Sequence, residues 1–292
     1  MVKLVTMPST PNFVTSRMSL VRTIGLTISP FTAKTKTQEF DGVYWTAEVT
    51  LPPMKRTEAV EWQAFLLETN GQANYFEFCD PDAKTNQGTY DQTYLVADKR
   101  VDDAAETLTF AVNGTITAAT AVFSALRVGD FIHITGGVNE DNNGTHKITT
   151  HTSNTVVIVD TALVAESSTA NCKVRQNIKG SKALSLLSKT NAGTGTIKKG
   201  DYIGVLSAAS ATAEPAQLLM VTEDATVTSA GGSAKDYYSV KTEPKLRADL
   251  TEGYFVTFAS PKGKFRLTTN EVDWSGNNVS NYGMGFSCVE VV

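Results

Sequence analysis

Phe40-Asp-Gly-Val-Tyr-Trp-Thr-Ala-Glu-Val-Thr-Leu51, then Pro52-Pro53, then Thr57-Glu-Ala-Val-Glu-Trp-Gln-Ala-Phe-Leu-Leu67 place two structural grammars side by side. The first stretch has a strand's composition and partly alternates, and the two prolines then withdraw ladder donors. The second predicts a helix over about 57–70. Thr57 is placed to cap it, Glu58 and Glu61 complement the positive end of its dipole, and Asn70-Gly71 is a natural stop. Ala59, Trp62 and Leu66 with Val60, Ala64 and Leu67 give it a broad apolar face. Ala73-Asn-Tyr-Phe-Glu-Phe-Cys79 reads as the next strand and runs into Asp80-Pro81-Asp82. The unit is strand, helix, strand on one side of a sheet, with Trp45, Trp62, Phe65 and Phe76 expected in its core. No second long helix is expected.

The rest of the chain points to a mainly β protein. Of 292 residues 40 are threonine, and a β-branched hydroxyl residue used so heavily favours half-solvated strands. With 41% apolar and 19% charged residues the chain can build an ordered core beneath a polar, weakly charged surface. No apolar run reaches the roughly 18 residues of a membrane span. The start, Met1-Val-Lys-Leu-Val-Thr-Met-Pro, lacks a signal-peptide core, so a soluble protein made in the cytoplasm is expected. Cys79, Cys172 and Cys288 are odd in number and far apart, which suits buried free thiols better than disulfides or zinc.

Residues 104–172 differ from both flanks. They hold six acids (Glu106, Asp130, Glu140, Asp141, Asp160, Glu166) and two bases (Arg127, Lys147), a net of −4 that equals the net charge of the whole chain. They also hold all three histidines, His133, His146 and His151, and neither Trp nor Tyr. Four short strands are expected, Thr107–Val112, Asp130–Thr135, Thr145–Thr150 and Thr155–Asp160, with a hairpin tip at Gly136-Gly137 and Asn139–Gly144. The segment reads as an inserted small β-barrel or sandwich domain. Residues 1–103, with the helix, and 173–292 read as the two parts of a split β body.

Beyond the insert, strands are expected near Gln217–Thr222, Tyr237–Lys241, Tyr254–Ala259 and Phe265–Thr269, with Gly285–Val292 as the last. Lys199-Gly-Asp-Tyr-Ile203 repeats the chemistry of Val128-Gly-Asp-Phe-Ile132. Each reads as a turn entering a strand, Gly supplying the unusual φ and Asp capping, and two matches alone do not define a repeat.

Catalytic constellations are not legible. The histidines lie 13 and 5 residues apart and do not form a helical metal pair, no G-x-S-x-G occurs, and Gly195-Thr-Ile-Lys-Lys-Gly200 is not a phosphate loop. Glu77, Asp80, Asp82 and Asp273 beside Trp274 are the acids near aromatics that could serve glycoside hydrolysis. Asp80-Pro-Asp reads better as turn chemistry, and Asp273-Trp274 as a strand end. The tip Asn139–Asn143 resembles a calcium loop in composition without its ligand spacing. Dispersed, balanced lysines and arginines do not form a nucleic-acid face. No catalytic, cofactor or metal residues are assigned, and a non-enzymatic protein is expected.

The N-terminal unit, with Trp62-Gln-Ala-Phe-Leu-Leu67 and Phe76-Glu-Phe-Cys-Asp-Pro-Asp82, resembles the start of distal-tail and related tail-tip structural proteins of long-tailed bacteriophages. Lys199-Gly-Asp-Tyr-Ile203, Pro244-Lys-Leu-Arg247 and Pro261-Lys-Gly-Lys-Phe-Arg-Leu267 resemble their later strands, so that about 14–100 and 193–292 carry the likeness. The resemblance implies a tail-tube-like β-sandwich or barrel with one packed helix. It implies a homohexameric ring in the virion, at the distal end of the tail, that joins tail tube to tip or hub and passes DNA transiently through its lumen. The insert 104–172 departs from a minimal member and is expected to meet a fibre or receptor-binding protein. The alternative reading is a receptor- or carbohydrate-binding tail adhesion module.

Overall fold

A computed structural model describes residues 2–90, 94–188, 195–228, 235–277 and 281–292. The protein is mainly β, and α1 (Arg56–Glu68) is the sole α-helix among the described residues. By contacts the chain divides into two compact units, residues 1–84 with 260–292 and residues 85–259.

The first unit begins with β1 (Leu4–Val5), β2 (Thr15–Ile28), β3 (Thr35–Thr50), β4 (Met54–Lys55), α1 and β5 (Tyr75–Phe78). The chain then crosses the second unit as β6 (Tyr94–Ala97), β7 (Ala105–Phe110), β8 (Thr115–Ala118), β9 (Phe131–Thr135), β10 (Gly144–Ser153), β11 (Val156–Val159) and β12 (Glu166–Arg175). It continues there as β13 (Ala183–Ser188), β14 (Tyr202–Leu206), β15 (Pro215–Val221), β16 (Thr226–Thr228), β17 (Tyr237–Glu243) and β18 (Phe255–Thr257). It returns to the first unit as β19 (Gly263–Leu267), β20 (Ser275–Gly276), β21 (Asn281–Gly283) and β22 (Gly285–Glu290).

In the first unit a six-stranded sheet runs β1-β5-β19-β22-β3-β2, beside a small sheet β20-β21-β4. The expected strand-helix-strand unit is present, and Trp45, Trp62, Phe65 and Phe76 are all buried. Trp62 packs near Phe13, Phe65 and Phe286, with ring centroids 5.6, 5.8 and 6.3 Å away, and its indole donates to the Thr10 carbonyl at 3.1 Å. Two details of the helix differ from expectation. Its N-cap is Lys55, with no side-chain cap, because Arg56 already has helical geometry and leaves Thr57 inside the first turn. Its buried face is the narrower stripe Ala59, Trp62, Phe65 and Leu66, while Val60 and Leu67 are exposed. Asn70 and Gly71 stop it as expected, with φ of 49° and 62°.

The second unit contains two barrels. The first is a closed ring β10-β11-β8-β7-β12-β9 and spans Ala105–Arg175. The acidic segment 104–172 thus coincides with barrel 1 to within a few residues. The unit boundaries lie elsewhere, at 84/85 and 259/260, because β6 and β13–β18 from the flanks pair with one another rather than with the first unit's sheet. Those flanking strands run β13-β6-β18-β14-β15-β17, and pairing of β13 with β17 closes them into barrel 2, with β16 extending the β15 side of β17. Each barrel has its own apolar core, one including Leu108, Phe123 and Ile134, the other Leu95, Ile203 and Tyr238.

The two rings have the same topology. Taken in chain order, β7, β8, β9, β10, β11 and β12 pair with one another as β6, β13, β14, β15, β17 and β18 do. Barrel 1 is therefore nested in the first connection of its twin. The Gly-Asp turns occupy equivalent places. Gly129 and Gly200 have φ of 94° and 92°, and their N–H groups donate to Ile148 and Val221 carbonyls at 2.8 Å in both cases. Asp130 and Asp201 accept from the N–H three residues earlier, Arg127 at 2.7 Å and Lys198 at 2.8 Å. Each is the expected turn entering a strand, and the equivalence that two sequence matches did not establish is supplied by the pairing around them.

Close backbone approach also fixes barrel 2. A Cβ on Gly88 would lie 1.8 Å from the Thr196 carbonyl oxygen, where Tyr90 N–H also donates to that oxygen at 3.2 Å. Gly88→Ala is expected to destabilise the protein by about 3 kcal/mol, because backbone and not a flexible side chain must move. Calorimetric unfolding of the variant measures it.

Candidate functional site

The sequence-named acids do not converge. Glu77, on β5, pairs with Lys262 at 2.8 Å on the wall of a cleft of about 330 Å³ that Trp62, Cys79 and Lys84 also line. Asp80 caps Asp82 N–H at 3.2 Å, the turn chemistry expected. Asp273 lies apart, in a depression with Glu48 and Glu271, and with Trp274 it precedes the two-residue strand β20 instead of ending a strand. Burial pushes the Cys79 thiol up, and Lys84 and Lys262 only partly pull it back. Cys172 and Cys288 are buried, and all three thiols are free.

The histidines serve barrel 1. His133 Nδ1 meets Thr145 Oγ1 at 2.9 Å, His146 Nε2 meets the Asn142 carbonyl at 3.1 Å, and His151 Nε2 meets the Phe123 carbonyl at 2.8 Å. His146 is nearly fully buried, 3% exposed. Burial first, then the nearby His146, Arg175 and Lys245, lowers His133 to about 4. The folded state therefore favours neutral imidazole. Its stabilisation is complete above the unfolded value of about 6.5 and is lost as pH falls from there towards 4. Allowing for partial exposure, the loss amounts to about 1–2 kcal/mol. Hydrogen exchange of barrel 1 peptides at pH 7 and pH 5 is expected to show it, and His133→Gln to flatten the dependence.

The Asn-rich tip is occupied with its own loop. Asn142 accepts from Val164 N–H at 2.7 Å, Asn143 from Gly137 N–H at 2.8 Å and Asn139 from Asp141 N–H at 3.0 Å. Burial is the largest single influence on the Glu166 carboxyl and raises it, but Asn139 N–H, the Thr169 hydroxyl, Val138 N–H and the Asn142 amide together outweigh it and hold it below the usual range. Among the described residues no group of three or more His, Cys, Asp or Glu could hold a metal ion. No helix among the described residues is long and apolar enough to cross a membrane.

The feature that sequence reasoning missed is an arm. Strand β3 pairs with β22 only over Thr46–Thr50, whereas β2 and β3 continue pairing with each other out to Ile28 and Thr35. The outer ribbon therefore presents two open edges. Ile24, Leu26 and Ile28, alternating along one face, are 53%, 61% and 58% exposed, and Phe31 at the tip is 95% exposed. The alternation of Ile24, Leu26 and Ile28 was the available signal, but alternation alone reads as one face on a core.

Fold and surfaces together define a mainly β protein, built of a helix-backed sheet with a projecting arm and two barrels of one topology. No known family model matches the chain, and no curated protein matches it.

Proposed function

We propose that this protein is a non-enzymatic structural virion protein, a distal-tail-like ring component that joins the tail tube to the tail tip or baseplate of a long-tailed phage. The observation that carries the reading is the arm. A two-stranded ribbon alone is marginal in water, and open strand edges with an exposed apolar row are templates for pairing with another chain. Heterologous contacts of that kind generate rings when the rotation closes. The chain outside 104–172 sums to zero charge, which suits a lumen through which DNA must slide without trapping phosphates. Its partners on this reading are further copies of itself, six in the ring, the tube and hub proteins and, through barrel 1, a fibre or receptor-binding protein.

Native mass spectrometry of the purified protein and of tail extracts tests the reading. A closed homo-oligomer, six copies, is expected, and a monomer in both preparations would refute it. The adhesion reading rests on Trp274, 41% exposed beside Asp273 over a depression floored by Leu51, Pro53 and Met284, where a sugar ring could stack. Glycan-array binding that Trp274→Ala abolishes would favour it.

A further inference from the structure

We infer that the arm of one copy docks on the far end of barrel 1 of the next copy. This rests on the ring reading and names the contact that builds the ring. The end of barrel 1 opposite its linkers collects the β7–β8 turn, the Asn-rich tip and the β11–β12 loop: Glu166 pairs with Phe110 and accepts from Val138 N–H, Asn142 donates to the Val164 carbonyl, and Gly114 abuts Thr161. Val112, Val138 and Val164 stand there 67%, 82% and 39% exposed. Exposed Glu140, Asp141 and Asp160 belong to the same loops, and the one base in 128–172, Lys147, donates its N–H to Asp160 but pairs its ammonium with Glu223 at 2.5 Å.

The same end of the twin barrel is covered. There Leu246 and Leu250 are buried, and their N–H groups donate to the Ser181 and Asn177 carbonyls, at 2.9 and 2.8 Å, of the segment that leads out of barrel 1. In barrel 2 this end thus meets a further segment of chain, whereas on barrel 1 Leu163 is buried but Val112, Val138 and Val164 stay exposed. The arm has the complementary chemistry. Its outer part, 23–38, carries an apolar row with Lys34 and Lys36 and contains no acid. Nucleic acid would be repelled by the acids, and a sugar would find no aromatic platform, since 104–172 holds neither Trp nor Tyr. Every copy has both surfaces, so a contact between them is heterologous and propagates from copy to copy.

Charge reversal in the full chain tests this, read by sedimentation and native mass spectrometry at low and high ionic strength. Lys34→Glu/Lys36→Glu and, separately, Glu140→Lys/Asp141→Lys are each expected to weaken self-association about tenfold or more, like charges then facing each other. Combining the four changes restores the attraction and is expected to recover association to within about threefold of the original. Val138→Ser is expected to weaken it without altering the salt dependence. Association that survives either reversal, or a combination no better than the weaker pair, overturns the contact while leaving the ring reading standing. A wild-type monomer at every ionic strength would instead overturn the ring reading itself.

Discussion

Asp130→Ala is expected to destabilise barrel 1 by about 3–5 kcal/mol, the cost of leaving a buried charge without its partner. Asp130 is fully buried and accepts from Arg127 N–H at 2.7 Å, from Ser239 Oγ at 2.6 Å and from the Arg100 guanidinium. Arg100 itself is 4% exposed and lies 4.5 Å over the Tyr237 ring, so no solvent can replace the carboxylate. The twin position separates the contributions. Asp201 makes the same turn, with Gln87 N–H at 2.6 Å in place of the cation. Asp201→Ala orphans two backbone donors and is expected to cost about 2–4 kcal/mol. The excess at Asp130 measures the stranded arginine, and Arg100→Met combined with Asp130→Leu should recover part of it. Barrel 1 contains neither Trp nor Tyr, so hydrogen exchange resolved by peptide, and not intrinsic fluorescence, reads the result. Equal losses at the two aspartates would show that the Arg100 pair contributes nothing.

Trp62→Ala is expected to cost about 3–5 kcal/mol in the first unit. The side chain is 1% exposed and sits among Phe13, Phe65 and Phe286, the contacts through which α1 meets the sheet and the N-terminal segment. Its loss also leaves the Thr10 carbonyl without the indole donor. Denaturant unfolding monitored on the first unit should show the drop, and assembly should fail only where folding fails. An oligomerisation defect in a variant of wild-type stability would place Trp62 at an interface instead.

Much of this architecture is local and was legible. The helix, its Asn70-Gly71 stop, the strands β9, β11, β15, β17 and β22, and both Gly-Asp turns follow from patterns a few residues long. The strands β8 and β12 carry no such local pattern, for identifiable reasons. Thr115-Ile-Thr-Ala118 is short, and Glu166–Arg175 is broken by register shifts at Thr169, with Ser168 and Asn171 at positive φ, so alternation does not survive along it. Thr57 looked like a cap because capping is a matter of one residue, and where the first helical turn begins is settled by how β4 pairs with β21 just before it.

Local pattern suffices to state that the chain is mainly β with one helix, that 104–172 is a distinct acidic segment, and that Gly-Asp turns enter two strands. Long-range pairing is what joins β7 to β12 and β13 to β17 to close two rings, nests one ring in the other, and leaves the outer half of β2–β3 clear of any core. The difference is one of range. Turn chemistry and side-chain alternation act over a few residues, whereas ring closure joins β6 to β13 across the whole of barrel 1, and no local pattern states which edge will find which.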